Sequence, residues 1–201
     1  MWWFQQGLCF LPAATVVWAS ATFIFSYITA VVLRHVDPLV PYISDTGAMP
    51  PERCVFGIML NISSFLGVAT VYVRYKQVMA LNPDKPRLLK LNTAGLVLGL
   101  ISSFGLCIVA NFQKNTMISM HLVGAILTFG IGTLYILFQT IISHKMQPHI
   151  HGMGVFWVRL CLGLWCLASI VTSILPALVN LTALLGPVSE ATAGLLSTPK
   201  R

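Results

Sequence analysis

Five long stretches of the chain contain no charged residue, and this pattern constrains the fold more than any other feature of the sequence. The stretches cover 1–33, 54–73, 91–113, 115–144 and 160–189. A helix that spans a membrane needs roughly 20 apolar residues, so each stretch supplies one spanning helix and none comfortably supplies two. Because a backbone in lipid must satisfy its own hydrogen bonds, we expect all five stretches to be helical.

Composition excludes the other structural classes. Of the 201 residues, 57% are hydrophobic and 8% are charged, whereas ordinary soluble domains carry about 25% charged residues. A soluble globule needs a more polar surface, and a disordered chain is poorer in apolar residues. A transmembrane barrel would show alternating segments of about 10 residues, which the sequence lacks. The chain is therefore predicted to be an all-α, polytopic membrane protein.

The predicted transmembrane bundle occupies residues 1–180. Its five helices are expected at about 9–33, 54–73, 92–111, 118–142 and 157–179. The first of them is too long for the apolar core of a cleavable signal and follows no basic residue, so we expect it to be retained. Residues 181–201 are rich in Gly, Ser, Thr, Ala and Pro, which predicts a short unstructured tail.

Basic residues predict how the bundle crosses the membrane. The second and fourth connections share one side and hold Arg74, Lys76, Lys85, Arg87, Lys90, Lys145 and Arg159. The other side holds three basic residues. Because cytosolic loops carry an excess of Lys and Arg, we expect the basic loop 74–90 in the cytosol and the loop 34–53 in the lumen or outside the cell. This placement accounts for the net charge of +7 without a nucleic-acid partner, and anionic lipids are a candidate partner.

Groups for catalysis or transport are scarce in the predicted helices. None of the five acidic residues lies in a predicted helix, and His121 is the one histidine, acid or base near a predicted helix interior. Intramembrane charges are the usual sign of transport or proton relay, and we expect His121 instead to lie near the interface and hydrogen-bond a neighbour. The sequence predicts no enzyme. A lipid-organising or transport function remains the alternative, supported only by Asn61, Ser63 and His121.

No metal or cofactor site is predicted either. His144, His149 and His151 cluster in one loop, but zinc requires three or four ligands and this loop offers no acid or cysteine. The five cysteines show no metal-binding spacing. Phosphate-binding loops, dinucleotide-binding fingerprints and nucleophile elbows are also absent from the sequence.

Small residues at four-residue spacing predict close helix contacts. Gly95 and Gly99 share one face of the third helix, and Ser63 and Gly67 share one face of the second. Such pairs let helix backbones approach each other, and we expect packing within the chain rather than between chains. Asn180 begins a glycosylation sequon on the predicted lumenal side and is a candidate acceptor.

The loop 34–53 is the densest candidate for function. It contains Pro41, Tyr42, Ile43, Ser44, Asp45, Thr46 and Gly47. Proline fixes backbone angles, hydroxyl and carboxylate side chains bond to nearby backbone, and glycine permits a tight turn. Either the loop is an ordered connector to the second helix, or it is a recognition surface that faces the lumen.

Four segments of the sequence resemble the damage-regulated autophagy modulator family and its Frag and Sfk relatives. They are the segments 41–47 (PYISDTG), 108–113 (IVANFQ), 72–76 (YVRYK) and 1–7 (MWWFQQG). The resemblance covers about residues 1–180, and the motifs occur in the family's order.

The resemblance implies a multipass protein of the lysosomal membrane that promotes autophagy and acts in linked cell death. It assigns no catalytic residue, and it implies unknown cytosolic or membrane proteins as partners. The family has six helices and a cytosolic tail, whereas this chain offers five helices and then departs from the family after about residue 180. We expect the C-terminus on the lumenal side.

Overall fold

A computed structural model describes residues 10–39, 41–146 and 153–196 of the chain, with side chains as far as residue 175. The described residues form five long helices, each with an apolar stretch long enough to cross a membrane, as the sequence predicts. They are α1 (Phe10–Val32), α2 (Glu52–Leu81), α3 (Pro86–Asn111), α4 (Ile118–Lys145) and α5 (Met153–Leu196).

The prediction that residues 74–90 form one loop is wrong. Helix α2 continues to Leu81 and α3 begins at Pro86, so that only Lys85 of the five basic residues lies in the connection. Arg and Lys are good helix formers, and their long stems let the charged ends reach water beyond the apolar layer. The 30 residues of α2 span about 45 Å, the thickness of a bilayer with its headgroups.

The last helix also differs from the prediction. We expected chain without structure from residue 181, but the backbone of α5 is helical through Leu196. Eight of the 16 residues from 181 to 196 are Ala or Leu, which are good helix formers, and Pro187 is the strongest helix breaker among the others. Asn180 therefore lies within helical backbone, and residues 197–201 lie outside the described part.

Neighbours in the chain are neighbours in space. Helix α1 packs on α2, α2 on α3, α3 on α4 and α4 on α5. Near the connection between α2 and α3, side chains of α2 and α4 also meet, in a buried cluster of Val78, Leu88, Ile142 and Met146. We call this side of the bundle the basic end. The opposite side, which carries residues 33–51 and 112–117, is the loop end.

Helix α4 contains one turn of π-helix, Ile126–Ile131, where it packs on α3. Ser102 of α3 donates a 3.0 Å hydrogen bond to the Thr128 carbonyl oxygen in this turn. Gly105 and Gly124 lie at the same contact, and a Cβ on Gly105 would come within 2.7 Å of the Thr128 backbone nitrogen. Bare backbone at these two positions therefore allows the helices their close approach.

Candidate functional site

The inner part of the loop 34–53 is fixed to the helices. Thr46 is buried, and its hydroxyl lies 2.9 Å from the buried hydroxyl of Ser26 on α1. Gly47 packs so closely on the ring of Phe56 in α2 that a Cβ there would lie 2.4 Å from the ring carbon Cγ. Thr46 and Gly47 thus act as a connector that seats the loop on α1 and α2.

The outer part of the same loop reaches the connection between α3 and α4. Lys114 Nζ lies 2.9 Å from Asp45 Oδ1 and 4.6 Å from the centre of the Tyr42 ring. Tyr42 is itself 74% exposed, and Leu39 and Ile43 also turn apolar side chains outward. Exposed apolar groups beside a charged pair form a surface that a partner can contact.

A buried carboxylate lies beneath the loop. Glu52, in the first turn of α2, is only 1% exposed, and its Oε1 lies 2.5 Å from Nδ1 of His35 just beyond α1. Its second oxygen has no hydrogen-bond partner among the described residues. Sequence reasoning missed this pair. An acidic residue at the start of a long apolar helix was the available signal, because a helix N-terminus favours negative charge.

A cavity of about 340 Å³ opens beside this pair. His35, Asp37, Asp45 and Asn115 supply its polar lining, and Pro41 supplies part of its apolar lining. In the part of the chain that the structure describes, no three His, Cys, Asp or Glu side chains group closely enough to hold a metal ion. The cavity therefore presents both polar and apolar side chains at the loop end.

At the basic end, two arginines from different helices converge on α4. Arg74 of α2 donates from Nε to the side-chain oxygen of Gln139 at 3.2 Å. Arg159 of α5 donates to the Gln139 backbone oxygen at 3.4 Å and to the Ser143 hydroxyl. Gln139 is buried, so one residue of α4 ties both guanidinium groups, and with them α2 and α5, to the bundle.

The other basic residues of this end differ in their surroundings. Lys76 and Lys90 are exposed, and Lys76 Nζ lies 5.9 Å from the Tyr72 ring centre. Lys85, Arg87 and Lys145 line a common cleft. Lys145 lies near the start of α3, although it is far from Lys85 and Arg87 in the sequence.

The small residues singled out from the sequence all lie at contacts within the chain. A Cβ on Gly95 would lie 3.3 Å from the Gln139 side-chain nitrogen, and one on Gly99 would overlap Val71. Gly67 faces Ser103, and Ser63 is buried with its hydroxyl bonded to the Met59 carbonyl oxygen. The sequence did not single out Gly105 and Gly124. A Cβ added at either glycine would meet backbone atoms of the facing helix.

Polar groups inside the spans bond to one another. Asn111 of α3 donates to the Asn61 side-chain oxygen of α2 at 3.0 Å, and Cys107 Sγ lies 3.1 Å from that same oxygen. His121 Nδ1 lies 2.7 Å from the Phe112 carbonyl oxygen, which is the neighbour contact expected from the sequence. His144 packs against Phe156, whereas His149, His151 and the segment 1–7 lie outside the described residues.

Five membrane-length helices, with polar groups paired between them and loops gathered at two ends, define a polytopic helical membrane protein. The profile of the Frag1/DRAM/Sfk1/Cwh43P N-terminal domain matches residues 7–179. The chain therefore belongs to the Frag1/DRAM family, as the sequence motifs indicate.

Curated relatives are consistent with this membership. The chain is 64% identical over 166 residues to DNA damage-regulated autophagy modulator protein 2 of Homo sapiens, which covers 83% of this chain and 62% of the relative. It is 42% identical over 186 residues to the human protein 1 of that name, covering 90% of this chain and 77% of the relative. Modulator of macroautophagy TMEM150B of Xenopus tropicalis is 34% identical over 163 residues, with 80% and 69% covered.

The chain thus spans about three fifths of the length of the protein 2 relatives that it matches. The names of these relatives describe modulators of autophagy rather than enzymes. No solved structure matches the chain.

Proposed function

We propose that this protein is a non-enzymatic modulator of autophagy in the lysosomal membrane, with a role in linked cell death. The observation that carries the proposal is the 64% identity to the human autophagy modulator protein 2 across 83% of this chain. The family profile matches residues 7–179, which include parts of all five helices and both ends of the bundle, so the surfaces that the relatives present are expected here too.

Three polar groups of the interior bear on the alternative function. Asn61 bonds to Asn111, His121 to the Phe112 carbonyl oxygen and Ser63 to the Met59 carbonyl oxygen. These groups motivated the alternative of a lipid-organising or transport protein, and each is engaged within its own bundle. A proton relay or ion path requires ionisable groups that face a water-filled interior, so the alternative has weaker support.

In this proposal, the two ends of the bundle are the surfaces that contact partners. With seven basic residues at the basic end, we place that end in the cytosol and the loop end in the lumen. The exposed Leu39, Tyr42 and Ile43 then form a lumenal surface for membrane-protein partners. The basic end faces cytosolic partners.

Autophagic flux tests the proposal directly. Cells would express the chain, or lose its expression, while turnover of a lipidated autophagosome marker is measured with and without lysosomal inhibition. We expect flux to rise on expression and fall on depletion, and a variant with a disrupted bundle, Gly105→Leu, to have no effect. Unchanged flux in both directions would remove the proposal.

Topology is tested separately. A tag with a protease cleavage site, inserted between residues 82 and 85, should be cut by added protease in cells whose plasma membrane alone is permeabilised. The same tag inserted in residues 113–116 should be protected. The opposite pattern would contradict the cytosolic placement of the basic end, whatever the flux measurement shows.

A further inference from the structure

A cleft of about 330 Å³ at the basic end is lined by cations from two helices. Lys85 and Arg87 flank the first residue of α3, and Lys145 is the last residue of α4. Lys145 is 58 residues or more from the other two in the sequence, so only the packing of α3 against α4 creates the cleft.

One lining residue of the cleft belongs to the buried core of this end. Leu88 lines the cleft and is also part of the buried cluster with Val78, Ile142 and Met146. Because Ile142 and Met146 lie on either side of Lys145 in the chain, the cluster holds the end of α4 against the first turn of α3. The three cations therefore lie around a preformed space rather than on independent loops.

The acid nearest to this cleft in the sequence is the exposed Asp84, which directly precedes Lys85. None of Lys85, Arg87 and Lys145 forms an ion pair with another described residue. Helix α3 also begins without a side-chain cap, so the positive end of its dipole adds to the field of the three side chains. Like charges gathered around one space repel, and a bound anion relieves that repulsion.

The chemistry of the cleft indicates the class of anion. Arginine recognises phosphate through paired N–H groups, and lysine binds it as a point charge. Free backbone N–H groups at a helix start are further phosphate donors. Three cations and a helix N-terminus exceed the single negative charge of a phosphodiester, so a phosphate monoester fits better.

The location of the cleft indicates the source of the anion. Lys145 ends one membrane-length helix and Lys85 immediately precedes another, and the cleft therefore lies at the level of the lipid headgroups. Basic pockets between helices on the cytosolic side of membrane proteins bind phosphorylated headgroups. We propose that the cleft formed by Lys85, Arg87 and Lys145 binds the phosphate-monoester headgroup of an anionic membrane lipid.

Lipid retention by the purified 201-residue chain tests this site. Protein in detergent is mixed with phosphatidylinositol 4-phosphate, phosphatidylserine or phosphatidylcholine, and bound lipid is counted by native mass spectrometry. We expect preferential retention of the phosphoinositide. Since each basic contact near a membrane surface contributes appreciably to binding, the variant K85Q/K145Q should retain it about tenfold less well or worse.

The chain offers a matched control. The variant K76Q/K90Q removes the same two charges from exposed positions at the same end, outside the cleft. It should retain the phosphoinositide as the unmodified chain does. Equal loss in both variants would show diffuse attraction and overturn the site, as would retention of all three lipids alike by the unmodified chain.

A competition arm separates the lipid from soluble phosphate. Inorganic phosphate or inositol 1,4-bisphosphate at the concentration of the lipid should leave retention unchanged, because neither brings acyl chains to the bilayer surface beside the cleft. Complete displacement would assign the cleft to a soluble ligand and overturn the lipid source. Thermal unfolding of each variant, compared with the unmodified chain, separates lost binding from lost folding. The outcome is independent of the flux experiment.

Discussion

His35 and Glu52 join the end of α1 to the start of α2 through a contact of 2.5 Å between Nδ1 and Oε1. Glu52 is buried, while 27% of the His35 side chain remains exposed. This contact thus fixes the end of α1 to the start of α2, and residues 34–51 connect these two helices. The contact lies outside the apolar layer. The geometry of the loop end depends on this pair.

Loss of the Glu52 carboxylate, which is the partner of His35, should destabilise the loop end. Replacing Glu52 with alanine is expected to cost about 2–3 kcal/mol, less than for a wholly buried pair because water reaches His35. Reversible unfolding in mixed micelles measures this free energy. The variant Asp84→Asn, which neutralises an exposed carboxylate in the connection between α2 and α3, is the control and should unfold like the unmodified chain. Equal stability of the two variants would contradict the structural role of Glu52.

Gly47 should tolerate no side chain. The variant Gly47→Val places a Cβ 2.4 Å from Phe56 Cγ, and overpacking of this kind costs roughly 1–3 kcal/mol. We expect a lower midpoint of thermal unfolding and faster proteolysis within residues 36–50. Gly154→Ala, at a position with no atom within 4 Å of the added Cβ, should leave both measurements unchanged or slightly raise the midpoint. A silent Gly47→Val would refute the close contact.

Asp45 and Lys114 should show pairwise coupling across the loop end. Asp45→Lys brings two positive charges together, and we expect it to expose the loop to protease. The exchange D45K/K114D should restore most of the protection, with a coupling energy of about 0.5–1 kcal/mol since both side chains are partly exposed. High salt should weaken the coupling. Independent, additive effects of the two substitutions would argue against the pair.

The contact between α3 and α4 depends on Gly105. A leucine there would push Cβ to 2.7 Å from the Thr128 backbone nitrogen, and backbone cannot swing aside as a side chain does. Gly105→Leu is therefore expected to abolish a cooperative unfolding transition in detergent and to lower the amount of inserted protein. Gly130→Ala, whose added Cβ meets its nearest neighbour at 4.0 Å, is the matched control and should be recovered at the unmodified level.

The Asn61–Asn111 amide pair should contribute modestly to stability. Interhelical hydrogen bonds in membranes average about 0.6 kcal/mol and reach about 1.7 kcal/mol. A double-mutant cycle of Asn61→Leu and Asn111→Leu, read by unfolding in micelles, is expected to give a coupling energy of about 1 kcal/mol. A cycle of Asn61→Leu with Thr93→Val serves as the control, because the Thr93 hydroxyl donates to the Leu89 carbonyl oxygen of its own helix, and this cycle should be additive.

Candidate sites were less predictable from sequence than the spans were. The motif 41–47 was found because turn residues are crowded together in it, and the structure divides its members between fixed connector and exposed surface. The pairing of Glu52 with His35 was missed, because a single acid at the start of a helix could contact many residues other than a histidine far away in the sequence. The basic residues were found as a group, but their treatment as one loop was wrong because helix propensity continues beyond the apolar layer.

The sequence by itself determined the number of spans and the charge asymmetry between the two ends. Charge-free stretches of helix length leave the backbone no other way to satisfy its hydrogen bonds in lipid. Tertiary structure alone decided which residues meet: His35 with Glu52, Asn61 with Asn111, and Lys85 with Lys145. These partners lie 17 to 60 positions apart. The packing of α1 on α2 brings His35 to Glu52, and the two pairs that involve α3 depend on helix contacts such as those at Gly99, Gly105 and Gly124, where side-chain volume sets how closely two backbones approach.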